Sequence, residues 1–148
     1  MPRLSYKLAT VLLLLTASPS FAADDVVMFP VASAINTPEA LQKLSNSVKF
    51  YFGAQPVPQT VQSFGQFVSN RKTNGFAKSA AVACQRAFLS ALISLHQRAD
   101  ELGGNAVIHI ESYYRKHAVV SDTQYECHKG FLIAGVALRG EVVRLADH

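Results

Sequence analysis

The chain has 148 residues, 49% of them hydrophobic, no tryptophan and a formal net charge of +4. This composition fits a globular fold rather than disorder, and the charge, only +2 over residues 23–148, is too mild to argue for nucleic acid or an anionic membrane surface as partner. The length suits one domain with a modest core.

Residues 1–22 read as a secretory signal peptide. Arg3 and Lys7 form a positive n-region and Leu8 to Ala17 a short apolar h-region. Ser20 and Ala22 put small residues at −3 and −1 of a cut before Ala23. The apolar run is about ten residues, short of the ~20 that a membrane-spanning helix needs, and no later segment approaches that length. Cleavage removes two of the 14 Lys+Arg and none of the 10 Asp+Glu, so the net charge falls to +2 over residues 23–148. The expectation is a soluble, periplasmic or secreted protein in a compartment where disulfides persist, with 23–148 as a single domain.

Val26 to Ile35 is apolar and extended, interrupted at Pro30. Thr37 then caps a short helix with Pro38 at its first position. Val48 to Phe52 (VKFYF) has the aromatic and β-branched content of a strand. A turn at 53–58 leads to a second strand, Val61 to Ser69, and the pair reads as a hairpin. Asn70 to Gly75 is a polar break. From Phe76 to Leu102 the apolar period becomes helical: Cys84, Ala87, Phe88, Ala91, Leu92, Leu95, Ala99 and Leu102 recur at spacings of three and four. Gly103-Gly104 ends that helix.

Asn105 to Tyr113 alternates as a strand, with Ala106, Ile108 and Ile110 on one face and Val107, His109 and Glu111 on the other. Gly130 to Leu138 (GFLIAGVAL) is nearly all apolar, as a strand covered on both faces would be. Glu141 to Leu145 either extends it or forms a final edge. The predicted class is α+β: one long helix, about 76–102, packed on a small β-sheet.

Cys84 and Cys127 both lie beyond the leader, and an even pair in an exported chain predicts one disulfide; two separately buried thiols are the alternative. A bond between them closes a loop of 44 residues, 84 to 127, for which chain entropy gives about 4 kcal/mol at most. Nothing resembles the C-x-x-C of a redox enzyme.

The run from Ala99 to Leu138, with ELGGNAVIHIES followed by YECHKGFLIAGVAL, resembles a helix–strand–strand unit of two bacterial families. They are the outer-membrane stress-sensor lipoprotein RcsF and the YbjQ-like family, sometimes labelled heavy-metal-binding. The likeness implies an RcsF/YbjQ-like fold, and the YbjQ-like side makes a homo-oligomer possible. In RcsF the cysteine matching Cys127 bonds to the region leading into the helix, the place Cys84 holds here. Two features depart from RcsF: Ser112 and Ile133 stand where its second cystine would be, and no lipobox cysteine marks the leader's end.

Over nearly all of 23–148 the chain also resembles small exported proteins often labelled excinuclease ATPase subunit, sharing SNRKTN (Ser69 to Asn74), GGNAV and YECH (Tyr125 to His128). The residues contradict that label, because there is no G-x-x-x-x-G-K-[ST] phosphate loop and no zinc-type cysteine set.

His109, His117, Cys127 and His128 lie within twenty residues of one another, with Glu111 and Glu126 near, so a metal site using His109, His117 and His128 is one candidate. Its spacing lacks the tight pairs that preorganise zinc, and ordinary polar histidines are the competing reading. No G-x-S-x-G elbow or H-E-x-x-H helix frames a catalytic centre. Arg71, Lys72, Tyr114, Arg115 and Lys116 fall in predicted loops, and cations beside tyrosines suit recognition of a protein or an anion; solvated loop residues are the bland alternative. SNRKTN, just before the helix, could offer an anion donors near its N-terminus. The sequence reading is a non-catalytic binding or interaction module of the cell envelope, with no cofactor and an envelope protein or anionic ligand as partner. The alternative is a periplasmic metal-binding protein.

Overall fold

A computed structural model describes residues 24–146; the signal-peptide reading over 1–22 lies outside them. In chain order the elements are β1 (Asp25–Pro30), α1 (Val31–Ile35), α2 (Pro38–Lys43), β2 (Lys49–Phe52), β3 (Thr60–Asn74), α3 (Ala80–Leu102), β4 (Ala106–Tyr114), β5 (His117–Val119), β6 (Gln124–Lys129) and β7 (Ile133–Leu145). Seven strands form one curled sheet and α3 is the single long helix among the described residues, so the α+β class fits.

β7 organises the sheet. It merges the two apolar segments read from the sequence into one strand, and β3 pairs antiparallel along all of it, from Thr60↔Leu145 to Asn74↔Ile133. Its other edge is shared: β4 takes the C-terminal part, up to Ser112↔Leu138, and β6 takes Gly135 and Ala134. β1 extends the sheet beyond β6, and β2 and β5 pair with β4.

The expected hairpin between Val48–Phe52 and Val61–Ser69 does not form. β2 instead runs parallel to β4, with Lys49↔Ala106 and Phe50↔Val107 in register. The intervening loop carries Pro56 and Pro58, unlike the two-residue turns that close hairpins. Side chains hold it open: Gln55 Oε1 accepts the Phe52 N–H at 2.7 Å, and Asp122 Oδ1 accepts the Ala54 N–H at 2.7 Å. Asn70 to Asn74 is no break either, because β3 continues through it. Its polarity is that of an outer strand paired on one side, where charged residues are tolerated and useful.

Two further boundaries differ from the sequence reading. Val31 to Ile35 is helical rather than extended. α3 starts at Ala80, not Phe76: Ala77 has a left-handed φ of 55°, and the Ser79 hydroxyl caps the helix by accepting the Val82 N–H at 3.3 Å. At the other end Gly103 takes a φ of 76° and the Gly104 N–H returns to the Ala99 carbonyl at 2.8 Å.

α3 lies against β7, β3 and β6. Ala83, Cys84, Ala87, Phe88, Ala91, Leu92, Leu95 and Ala99 are buried on its inner face, and small residues there let it approach Val136, Leu138 and Val142 closely. β4 does not alternate as read. His109 takes a φ of 51°, the register to β7 shifts between Ile108 and Glu111, and Val107 and Ile110 therefore share the helix side. Ala106 and Ile108 pack with Val143 and Leu145 on the opposite face.

Cys84 and Cys127 form a disulfide, with Cα atoms 5.8 Å apart and both residues fully buried. It joins the first turns of α3 to β6. Beside it the Phe88 and Tyr125 rings stack at 4.1 Å. The Cys84→Ser, Cys127→Ser variant is expected to lose about 2–4 kcal/mol of stability, read as a lower urea midpoint with unchanged far-ultraviolet circular dichroism.

Burial also pushes the Tyr125 phenol well above its ordinary range near 10. The folded state then holds the neutral form where the unfolded chain would ionise. This contribution is intact below about pH 10 and falls away as pH rises further. Tyr125→Phe should flatten the alkaline fall in stability, measured as urea midpoints between neutral pH and pH 11; an unchanged fall would refute the assignment.

Candidate functional site

Where β4 parts from β7 and β6 takes its place, the end of β4 and the whole of β5 fold over the outer face of the sheet. Register pairs Tyr113 with Ala118 and Tyr114 with His117, leaving only Arg115 and Lys116 in the turn. Both have left-handed backbone, with φ of 50° and 64°, the pattern of a type I′ hairpin turn. Asn-Gly is the pair that fits such a turn without strain; an ordinary side chain costs about 1–2 kcal/mol per position. Here the strained positions carry two exposed cations.

The tip stands on a packed support. Tyr114 is buried, its ring stacked on His128 at 3.6 Å with only 13° between planes. Gly135 makes the seat for that ring, since a Cβ there would lie 3.2 Å from Tyr114 Cε2. Glu126 Oε1 is 2.6 Å from His128 Nε2, and the Glu126 N–H donates to Ser112 Oγ at 2.8 Å. The Arg115 guanidinium lies 5.5 Å from the Tyr114 ring centre. Alongside, Arg139 donates from Nε to Glu111 at 2.7 Å and covers the Tyr113 ring at 4.0 Å. Each carboxylate in the support already has a cationic or imidazole partner, so Arg115 and Lys116 keep their charge for something outside.

The sequence-predicted residues divide between places. Lys72, Tyr114, Arg115 and Lys116 reach the outer side, Lys72 beside Gly135. Tyr114 serves as support, and is not the solvent-facing aromatic expected of it. Arg71 and Lys72 do not act as a pair: period-two alternation turns Arg71 to the helix side, where it donates to Ser94 Oγ. The three histidines do not gather. His109 Nδ1 meets the Gly53 carbonyl at 3.2 Å, His117 is exposed on β5, and His128 lies under Tyr114. Among the described residues no group of three or more His, Cys, Asp or Glu is placed to hold a metal ion, and the disulfide occupies Cys127.

The sequence reading places Glu126 only beside the candidate metal histidines and gives Gly135 and Arg139 no site role, because β6 and β7 bring all three under the tip through strand pairing. The available signal was the two-residue spacing YRKH between strand-like segments. Compared with protein-family models, curated proteins and solved structures, the chain matches none.

Replacing Arg115 by Asn and Lys116 by Gly together should raise stability by about 1 kcal/mol, because relief of the αL strain outweighs the larger chain entropy that glycine loses on folding. Urea denaturation checks this; a loss of stability would mean that the two side chains make structural contacts.

Proposed function

We propose that this chain is an exported, non-catalytic binding module of the cell envelope that engages an acidic surface of a partner protein through Arg115 and Lys116. The observation that carries the reading is the strained turn. Two left-handed positions that glycine and asparagine would fill more stably are held by cations, and strain retained at an exposed tip points to use rather than to folding. Tyr114 stacked on His128 gives the tip a rigid base, so little main-chain order is lost on docking. A buried disulfide and the leader reading support an oxidising compartment outside the cytoplasm. Among the described residues no helix is long and apolar enough to cross a membrane. The helix–strand–strand likeness over Ala99 to Leu138 favours an RcsF/YbjQ-like fold, with the partner supplied by the envelope. The excinuclease ATPase label has no support in these residues.

The test is capture from envelope extract by the tagged mature protein and by an Arg115→Glu, Lys116→Glu variant. A partner retained by the first, lost by the second and released by rising salt is expected, since exposed charge pairs are screened. Equal capture by both proteins would overturn the assignment of the tip.

A further inference from the structure

We propose that the cleft between β3 and α3 is a binding site for a phosphate group, held between the guanidinium groups of Arg71 and Arg98. The cleft lies on the opposite face of the sheet from the hairpin tip and uses none of its residues, so this proposal goes beyond the reading above.

Two periodicities build it. On β3, Phe67, Ser69 and Arg71 are spaced by two and all face the helix. On α3, Ser94 and Arg98 are one turn apart and face the strand. The two segments run in opposite directions, so Arg71 meets Ser94 while Arg98 lies over the Phe67 ring, 5.3 Å from its centre. The guanidinium groups therefore stand at the two ends of one cleft of about 180 Å³.

Its floor supplies a second, independent observation. Ser69 is 5% exposed, and its hydroxyl has no hydrogen-bond partner, the one such buried side-chain atom among the described residues. A buried hydroxyl left unpaired opposes folding, and such groups call for a ligand or an ordered molecule. Ser69 stands between Phe67 and Arg71 on the helix-facing side of β3 and lines the same cleft as the two arginines.

The chemistry selects the ligand. Arginine presents five N–H donors in a planar fork that matches phosphate geometry. Arg71 uses one contact on Ser94, and the Phe67 face steadies Arg98. The carboxylate engaged here is Glu101, whose Oε2 lies 3.0 Å from Arg98 Nη1 with the Glu101 side chain 64% exposed. An exposed pair of this kind is weak, so a dianion can displace it.

The experiment is nuclear magnetic resonance titration of the mature protein with inorganic phosphate and, separately, glycerol phosphate, each against chloride at equal ionic strength. Saturable shifts of the amides of residues 68–71 and 94–98 are expected, absent with chloride. Arg71→Gln and Arg98→Gln, both at exposed side chains, should each weaken binding at least about tenfold. Ser69→Ala should weaken it while leaving the unliganded protein as stable or more so. Binding of inorganic phosphate alone assigns the free ion, and binding of both probes assigns a mouth open to a phosphate ester. Shifts that chloride reproduces, or affinities unchanged in both arginine variants, would overturn the proposal.

Discussion

The close seating of α3 in the curl of the sheet is the constraint from which the other features follow. Its inner face is dominated by alanines, with Phe88, Leu92 and Leu95 as the large residues. Small side chains bring the helix axis near β7, and close packing there leaves little room for a helix to slide. Cys84 sits in that face and Cys127 on the strand beneath it, so the disulfide fixes both the rotation of the helix and the place where β6 enters. Chain entropy in the unfolded state makes the bond stabilising, but its geometric consequence is the larger one. With β6 anchored under the first turns of α3, β7 must accept two different neighbours along one edge.

That division of the β7 edge produces the outer site. β4 follows β7 only as far as Ser112↔Leu138, and β6 occupies the edge from Gly135. The last residues of β4 are displaced onto the outer face, and Gly135 leaves them a seat. A Cβ at Gly135 would lie 3.2 Å from Tyr114 Cε2, so the ring under the Arg115–Lys116 turn would have to shift by a few tenths of an ångström. A core constraint on the helix side is thereby expressed as a rigid cationic tip on the other side. The left-handed residues at the tip, at His109 and at Ala77 all occur where the sheet or helix changes direction.

The parts of this architecture that were legible in the sequence are those set by local periodicity. The apolar spacing from Cys84 to Leu102 identifies α3, and Thr37-Pro38 identifies the start of α2, because both signals lie within a few turns. Ser79 as a cap was missed since Phe76 continues the apolar pattern by chance. The hairpin assigned to β2 and β3 failed for a different reason: adjacency in sequence is the default, whereas a parallel β2–β4 pair depends on the α3 crossover between them. The bulge at His109 carries no glycine to announce it. Of the outer site, the basic dipeptide beside two tyrosines was visible; the support role of Glu126, Gly135 and Arg139 was not, because strand pairing alone brings them there.

Arg71 and Lys72 show how far one covalent bond can separate two roles. Read as a string, RK is a single basic patch in a polar break. In a paired strand it is two positions on opposite faces. Lys72 reaches the outer surface beside Gly135, while Arg71 enters the groove under α3 and meets Ser94. The same alternation carries Ser69 inward, where its hydroxyl finds no partner among the described residues. A sheet that only needed an outer strand at β3 would place an apolar residue or alanine there, since an unpaired buried hydroxyl opposes folding. Its presence in a cleft lined by two arginines distinguishes the inner groove from ordinary packing, and it sets that groove apart from the hairpin tip, where strain rather than unsatisfied polarity marks the surface.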